Sequence, residues 1–110
     1  MSALLAAQQK FCADVAQLIA FGLARGDAFT FGDTLAHDGH MGHSLHYERL
    51  AIDLNLFVQG EWVRGDHEEW HALAGFWKSL GPRQRWGGDI VGKVDLNHFS
   101  AVPDDSDGRI

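Results

Sequence analysis

The sequence predicts an α+β fold: a single small domain in which a short antiparallel sheet is flanked by helices. Two segments with helical spacing of apolar residues, and a segment of strictly alternating apolar residues between them, lead to this prediction. The 110 residues suffice for one domain with its own core and are too few for two. We therefore expect one domain over residues 1–102, followed by a polar tail at residues 103–110.

The two predicted helices have recognisable ends. Apolar residues recur with a spacing near 3.6 over residues 2–25, and Gly26 is expected to end this helix. A second helix is predicted over residues 66–80, where Asp66 and Glu69 form a capping-box-like pair. The first helix is amphipathic, and both helices are expected to flank the sheet.

The predicted sheet is built from short strands. Within residues 50–58, large apolar side chains occupy every second position from Ile52 to Val58, which places Asp53 on the opposite face. Shorter strands are predicted at 28–34 and 94–99, and a hairpin at 59–63. The sheet therefore has one buried face and one face that is wet or functional.

Charge and composition exclude several kinds of partner. The chain carries 15 acidic and 9 basic residues without a Lys/Arg cluster, so we expect no nucleic-acid partner. No apolar stretch reaches the roughly 18 residues of a membrane span, so we expect no membrane partner. Cys12 is the only cysteine and lies in a helical pattern among apolar neighbours, which predicts a buried thiol and no internal disulfide. We expect a monomer.

Two segments with histidine and aspartate indicate a metal site. Asp53 follows His46 by seven residues, and its carboxylate is either solvated or bound to a ligand. Together with His98 these residues could supply the three ligands of a catalytic zinc site, which leaves a fourth position open. A second carboxylate is then needed as a base, and Asp95 is the candidate. This arrangement requires a turn or bulge between Asp95 and His98, because a regular strand would send the two side chains to opposite faces.

Four motifs occur in the order found in a known family. Ser44–Asp53 resembles the S-x-H-x-x-G-x-A-x-D signature of the M15 peptidases, and 76–81 is similar to their W-x-x-L-G helix end. Trp86–Asp89 resembles the W-G-G segment of the endopeptidase branch, and Asp95–Ser100 is similar to its D-x-x-H-F motif. The resemblance implies a fold like that of Hedgehog domains and D,D-peptidases, with residues 1–102 as the catalytic domain.

The resemblance also implies roles for individual residues. One Zn²⁺ ion is expected to be bound by His46, Asp53 and His98. Asp95 is expected to be the general base that activates water. Four further residues are expected near the substrate: Ser44, Arg49, Trp86 and Asp89. Arg49 stands where the signature has glycine, so glycine is not expected to be needed at this position.

The resemblance implies a zinc metallopeptidase that hydrolyses bonds in peptidoglycan stem peptides. The W-G-G segment favours an L-Ala–D-Glu endopeptidase, and a D-Ala-D-Ala carboxypeptidase of the same family is the alternative. The first residues lack the basic stretch of a signal peptide. We therefore expect a phage or prophage endolysin that is made in the host cytoplasm and reaches the cell wall after release, or a virion-associated enzyme.

Alternatives from other classes stay open. A non-catalytic zinc-binding module of a virion would have no use for a base at Asp95. A metal-dependent nuclease is disfavoured by the negative charge. Two further groups of histidines could each hold a second metal: His37, His40 and His43 in a glycine-containing loop, and His67 and His71 on the second helix. For both groups, solvated side chains are the preferred interpretation.

Overall fold

The computed structural model describes residues 1–32 and 44–110, and these residues form the predicted α+β domain with an antiparallel sheet. The two helices are α1 (Ala3–Ala24) and α2 (Glu68–Ser79). The five strands are β1 (Asp27–Phe31), β2 (Ala51–Val58), β3 (Glu61–Val63), β4 (Gln84–Trp86) and β5 (His98–Ala101). Two short 3₁₀ turns, Leu45–Glu48 and Gly87–Asp89, precede β2 and follow β4.

Strand β2 is the centre of the sheet, whose order is β1-β2-β5-β4. Strand β1 pairs along one edge of β2. The other edge is divided, because β5 pairs with residues 51–53 of β2 and β3 pairs with residues 56–58. All of these pairings are antiparallel, as the sequence predicts.

The apolar face of the sheet forms the core with the helices. Ile52, Leu54 and Leu56 of β2 are buried on this face. Phe99, opposite Ile52 on β5, contacts the rings of two helix α2 tryptophans, Trp70 and Trp77. The odd-numbered residues of β2 point to the other face, so the polar side chain of Asp53 is directed away from the core.

Helix α1 begins and ends as its sequence predicts. The Ser2 side chain accepts a hydrogen bond from Leu5 N–H at 3.0 Å, which satisfies one of the free donors at the helix start. Arg25 is the carboxyl-terminal cap, and Gly26 follows with a φ of 93°. In the described part of the chain, neither helix combines the length and apolar composition needed to cross a bilayer.

Two predictions on the helices are wrong in detail. Cys12 is exposed on α1, because it lies on the solvent side of the apolar stripe and not within it. Helix α2 is capped by His67 and not by Asp66: His67 Nδ1 accepts from Glu69 N–H at 3.0 Å. The Asp66 carboxylate pairs with His71 instead, at 2.8 Å.

The short strands differ more from the prediction. Strand β4 has only three residues and was not predicted, because three residues are too few to show a period. Strand β5 begins at His98 and not at residue 94, since residues 95–97 form a turn. Strand β1 begins one residue before its predicted start, and residues 33–34 of that prediction lie outside the described residues.

Candidate metal centre

The 3₁₀ turn before β2 fixes the position of His46. The Ser44 hydroxyl accepts a hydrogen bond from His46 N–H at 3.2 Å and thereby caps this turn. Leu45 and Leu50 on either side are fully buried and anchor the turn in the core. The His46 side chain is buried as a result, with 2% of the residue exposed.

Arg49 ends this turn in a left-handed backbone conformation, with φ 56° and ψ 38°. Glycine adopts this conformation freely, whereas other residues adopt it at a cost. The backbone at this position has a conformation that favours glycine, and Arg49 adopts it all the same, so glycine is favoured here but not required. The left-handed residue redirects the chain from the turn into β2.

The register of the sheet brings Asp53 and His98 together. Asp53 on β2 and His98 on β5 are directly opposite partners in an antiparallel pairing, so their side chains lie on the same face. Leu54 N–H donates to Asn97 O at 2.9 Å and holds the start of β5 against β2. Two of the predicted ligands are therefore adjacent through backbone pairing alone.

The three predicted ligand side chains converge on one point. Asp53 Oδ1 lies 3.4 Å from His46 Nε2 and 3.2 Å from His98 Nδ1, and the three ligand atoms lie within 4.8 Å of one another. A tetrahedral site with zinc–ligand bonds of about 2.0–2.1 Å separates its ligand atoms by about 3.3 Å. Both the spacing and the two-nitrogen, one-oxygen donor set therefore fit a zinc ion.

The electrostatics of the cluster favour an ionised carboxylate. Burial alone would raise the pKa of Asp53, but hydrogen bonds and charge from His46 and His98 outweigh burial and lower this pKa to about 2. Asp53 therefore carries a negative charge at neutral pH. An anionic oxygen beside two imidazole nitrogens is a suitable donor set for a divalent cation.

Residues 95–98 form the turn that the predicted arrangement requires between Asp95 and His98. His98 N–H donates to Asp95 O at 3.2 Å, which closes a turn over residues 95–98. Asp95 N–H donates to Gly87 O at 3.0 Å, and the Trp86 indole N–H donates to Leu96 O at 2.7 Å. The turn is thus held from its outer side by the Trp-Gly segment.

Asp95 is exposed to solvent, and the charges of the cluster affect the pKa of its carboxyl group. Partial desolvation by its surroundings and the negative charge of Asp53 raise its pKa above the ordinary value, and the charges of His98 and His46 act in the opposite direction. Asp95 is not one of the three converging ligands. A solvent-accessible carboxylate next to the ligands, with a raised pKa, has the properties of a general base.

Sequence reasoning gave no role to Gly87, although the Trp-Gly-Gly motif contains it. A Cβ atom at this position would lie 2.1 Å from Asp95 O and 2.8 Å from His98 Cβ. Only a residue without a side chain allows β4, the 95–97 turn and β5 to approach this closely. The motif itself was the signal for this role.

The four residues expected near the substrate occupy different surroundings, and their roles stay predictions. Ser44 caps the turn that carries His46, and Arg49 is exposed at the end of that turn. Trp86 is buried, with 4% exposed, beneath the 95–97 turn. Asp89 is half exposed and forms an ion pair with Lys78 of α2.

Among the residues that the structure describes, the other histidines lie outside the cluster. His67 caps α2, and His71 pairs with Asp66 on the exposed side of that helix. The exposed His71 agrees with the interpretation as a solvated side chain, whereas His67 is half-buried and precedes the helix as its cap. The predictions for His37, His40 and His43 lie outside the described residues.

Comparison with known proteins identifies the family. A model of the M15 peptidases, described as D-alanyl-D-alanine carboxypeptidase, matches residues 38–101, more than half of the chain. The chain belongs to the M15 peptidase family. A search of curated proteins gives no significant match to this M15 peptidase. The family comprises zinc-dependent peptidases that act on peptidoglycan, and the cluster of His46, Asp53 and His98 in this M15 peptidase could bind such an ion.

Proposed function

We propose that this protein is a zinc metallopeptidase that hydrolyses an amide bond in peptidoglycan stem peptides, with Asp95 as its general base. The observation that supports this proposal most strongly is the convergence of His46 Nε2, Asp53 Oδ1 and His98 Nδ1 beside the solvent-accessible Asp95. A purely structural zinc site has no need of a carboxylate at that place. The three converging residues would hold the ion.

A zinc ion bound there would act as a Lewis acid that polarises the scissile carbonyl group. Asp95 accepts a proton from the attacking water as the new C–O bond forms. It then donates that proton to the leaving nitrogen as the C–N bond breaks, so that a carboxylate and an amine are released. One carboxyl group serves both steps, because the same group must take up a proton and give it away.

Within this class we propose an L-Ala–D-Glu endopeptidase, which the Trp86–Asp89 segment supports through its resemblance to that branch. The second candidate is a D-Ala-D-Ala carboxypeptidase, which the description of the matching family model favours. We further propose an endolysin of phage or prophage origin, acting on the wall after its release from the cytoplasm or as part of a virion.

Digestion of purified peptidoglycan tests these proposals. The zinc-loaded protein is incubated with the wall, and fragments are analysed by mass spectrometry before chelation, after chelation and after zinc is restored. Zinc-restored fragments that begin with D-Glu establish the endopeptidase, whereas released D-Ala establishes the carboxypeptidase. Absence of cleavage by folded, zinc-loaded protein contradicts the enzymatic proposal and favours a binding module. His71→Ala is the matched control, because His71 lies outside the cluster.

A further inference from the structure

A cavity of about 250 Å³ lies beside Asp95, where the edge of β2 passes from β5 to β3. Its walls come from the β2–β3 hairpin, from Trp70 of α2 and from residues 94–97. The volume corresponds to about eight water molecules at about 30 Å³ each. The cavity can therefore accommodate one residue of a peptide.

Arg64 brings a positive charge to this cavity. Its side chain is exposed, and its Cζ atom lies 4.8 Å from the centroid of the Trp62 ring, which orients the guanidinium group by a cation–π contact. Arg25, by comparison, is committed to an ion pair with Glu69. Across residues 1–32 and 44–110, Arg64 has no acidic partner. Its N–H donors are available to an anionic ligand.

Trp70, which also lines the cavity, carries a second donor. Trp70 is 1% exposed, and its indole N–H has no hydrogen-bond acceptor within the part of the chain that the structure describes. A buried donor without an acceptor is costly, and because Trp70 lines the cavity, a ligand oxygen that reached this N–H group would remove that cost. Beside it, Asn97 Nδ2 donates to Asn55 Oδ1 at 3.2 Å, which joins the two amide side chains in the cavity wall. The cavity thus combines free donors with a fixed polar wall.

We propose that this cavity is the subsite for the residue on the leaving-group side of the scissile bond, and that Arg64 binds that residue's carboxylate. The proposal rests on the proposed function. Asp95 lines the same cavity, and the group that protonates the leaving nitrogen must lie next to that nitrogen. The residue that departs with the nitrogen therefore enters the cavity beside Asp95.

Both candidate reactions release a residue with a carboxylate close to the new amine. A carboxypeptidase releases D-Ala with its terminal carboxylate. An endopeptidase that cuts before D-Glu releases an amino-terminal D-Glu, whose α-carboxylate is free when the peptide continues through its side chain. In either case a guanidinium group is the suitable partner, because its paired donors match the two carboxylate oxygens.

Paired substrates test the proposal. The kcat/KM of the zinc-loaded enzyme is measured on peptides whose leaving residue, D-Ala or D-Glu, carries either the free carboxylate or its carboxamide. We expect the wild type to prefer the carboxylate by about 10- to 100-fold, as for a hydrogen-bonded charge. Arg64→Gln should abolish this preference, and Arg64→Lys should retain part of it. The D-Ala and D-Glu pairs distinguish the two sources of the carboxylate.

Arg83→Gln is the matched control, because it removes the same charge from an ion pair with Asp105 far from the cavity. It should leave the carboxylate preference unchanged. An Arg64→Gln enzyme with the wild-type preference overturns the proposal. The proposal is also overturned if the wild type cleaves the carboxylate and carboxamide forms of a peptide equally well.

A binding measurement separates this proposal from the proposed function. The metal-free protein, labelled with ¹⁵N, is titrated with D-alanine and D-alaninamide, and with γ-D-glutamyl-L-lysine and its α-carboxamide. A carboxylate form should shift the indole N–H signal of Trp70, assigned with a Trp70→Phe variant, and Arg64→Gln should weaken the binding. If no peptide is cleaved but this shift occurs, the proposed function and the leaving-group role fail, and the cavity is left as a carboxylate-binding site only. If peptides are cleaved and no carboxylate form binds, the subsite proposal fails alone.

Discussion

Asp53 and His98 are opposed across the β2–β5 pairing, and their side chains meet with Oδ1 and Nδ1 3.2 Å apart. The sheet register therefore positions two of the three candidate ligands. A slip of one residue would move one of the two side chains to the opposite face. The two residues are 45 positions apart in the chain, so the site exists only in the folded protein, and metal binding is expected to stabilise the fold.

Zinc should raise the melting temperature of the wild type. An ion present at 100 times its dissociation constant contributes about 2.7 kcal/mol, which corresponds to roughly 10 °C for a domain of this size. His98→Ala and Asp53→Asn should lose this shift, because each removes one of three ligands. Thermal unfolding followed by circular dichroism, with and without zinc, measures the effect. His71→Ala should keep the full shift, and an equal shift in His98→Ala would contradict the ligand assignment.

Asp95→Asn should retain zinc binding and lose hydrolysis. An amide cannot accept the proton from water, and general-base catalysis contributes about 10²–10⁴-fold. The zinc-dependent rise in melting temperature should persist while kcat falls by that factor. Asp66→Asn, the same change on the exposed side of α2, should leave kcat unaltered. Wild-type activity in Asp95→Asn would mean that another group is the base.

Gly87→Ala should destabilise the protein by about 1–3 kcal/mol, as expected for overpacking. The added methyl group would collide with the backbone of the 95–97 turn and with His98. Gly75→Ala provides the matched control, because a Cβ atom there meets no atom within 4 Å and the residue lies inside α2. This control should gain about 0.5–1 kcal/mol. Urea unfolding measures both changes, and a neutral Gly87→Ala would show that the turn can move away.

Arg49→Gly should stabilise the protein by about 1 kcal/mol, because glycine adopts the left-handed conformation without the cost that Arg49 bears. Arg49→Ala removes the same side chain but keeps the unfavourable backbone, so it should gain little. Chemical unfolding of the two variants separates the backbone effect from the loss of the side chain. Equal stabilities would assign the effect to the side chain instead.

Asp27 should make stability fall as pH rises from about 4 to about 7. Burial, followed by a hydrogen bond and charge from Glu69, raises the pKa of Asp27 to about 7, with Arg25 acting in the opposite direction. The unfolded chain releases this proton near pH 4, so the folded state binds more protons in this interval, and the free energy of unfolding decreases with pH.

Asp27→Asn should flatten this decrease and raise the free energy of unfolding at pH 8 by about 1–2 kcal/mol. Each unit by which the pKa of Asp27 is raised costs about 1.4 kcal/mol at high pH. The lowered pKa of Glu69 offsets part of this cost. Urea unfolding of both proteins between pH 4 and pH 8 measures the slope. Parallel slopes in the two proteins would assign the pH dependence to other groups.

The longest helix and the longest strand could be predicted from the sequence, and so could the three side chains of the cluster. Helix α1 and strand β2 show enough repeats to define them, and the Asp95–His98 motif required a turn that the structure contains. Strand β4 was missed and β5 was begun too early, because three or four residues carry too little pattern. Their positions depend on tertiary contacts such as the Trp77 indole N–H, which donates to Arg85 O and Ser100 O at 3.0 Å.

Two kinds of feature could not be predicted: local details of the helices, and contacts between segments that are distant in the chain. The exposed position of Cys12 and the cap by His67 follow from local geometry that the apolar pattern does not resolve. The close approach at Gly87 involves backbone eight residues further along the chain. The cavity at Arg64 is formed by a hairpin, a helix and a turn, and no single stretch of sequence contains it.

The divided edge of β2 has a consequence for how such an enzyme could diversify. The half of β2 that carries Asp53 is held by β5, whereas the half that borders the Arg64 cavity is held by the β3 hairpin. We therefore expect the hairpin to tolerate changes of length and composition that alter which residue is accepted, without disturbing the ligand register. The ligand residues would then depend on β5 and the choice of substrate on β3, so that either property could change while the other is kept.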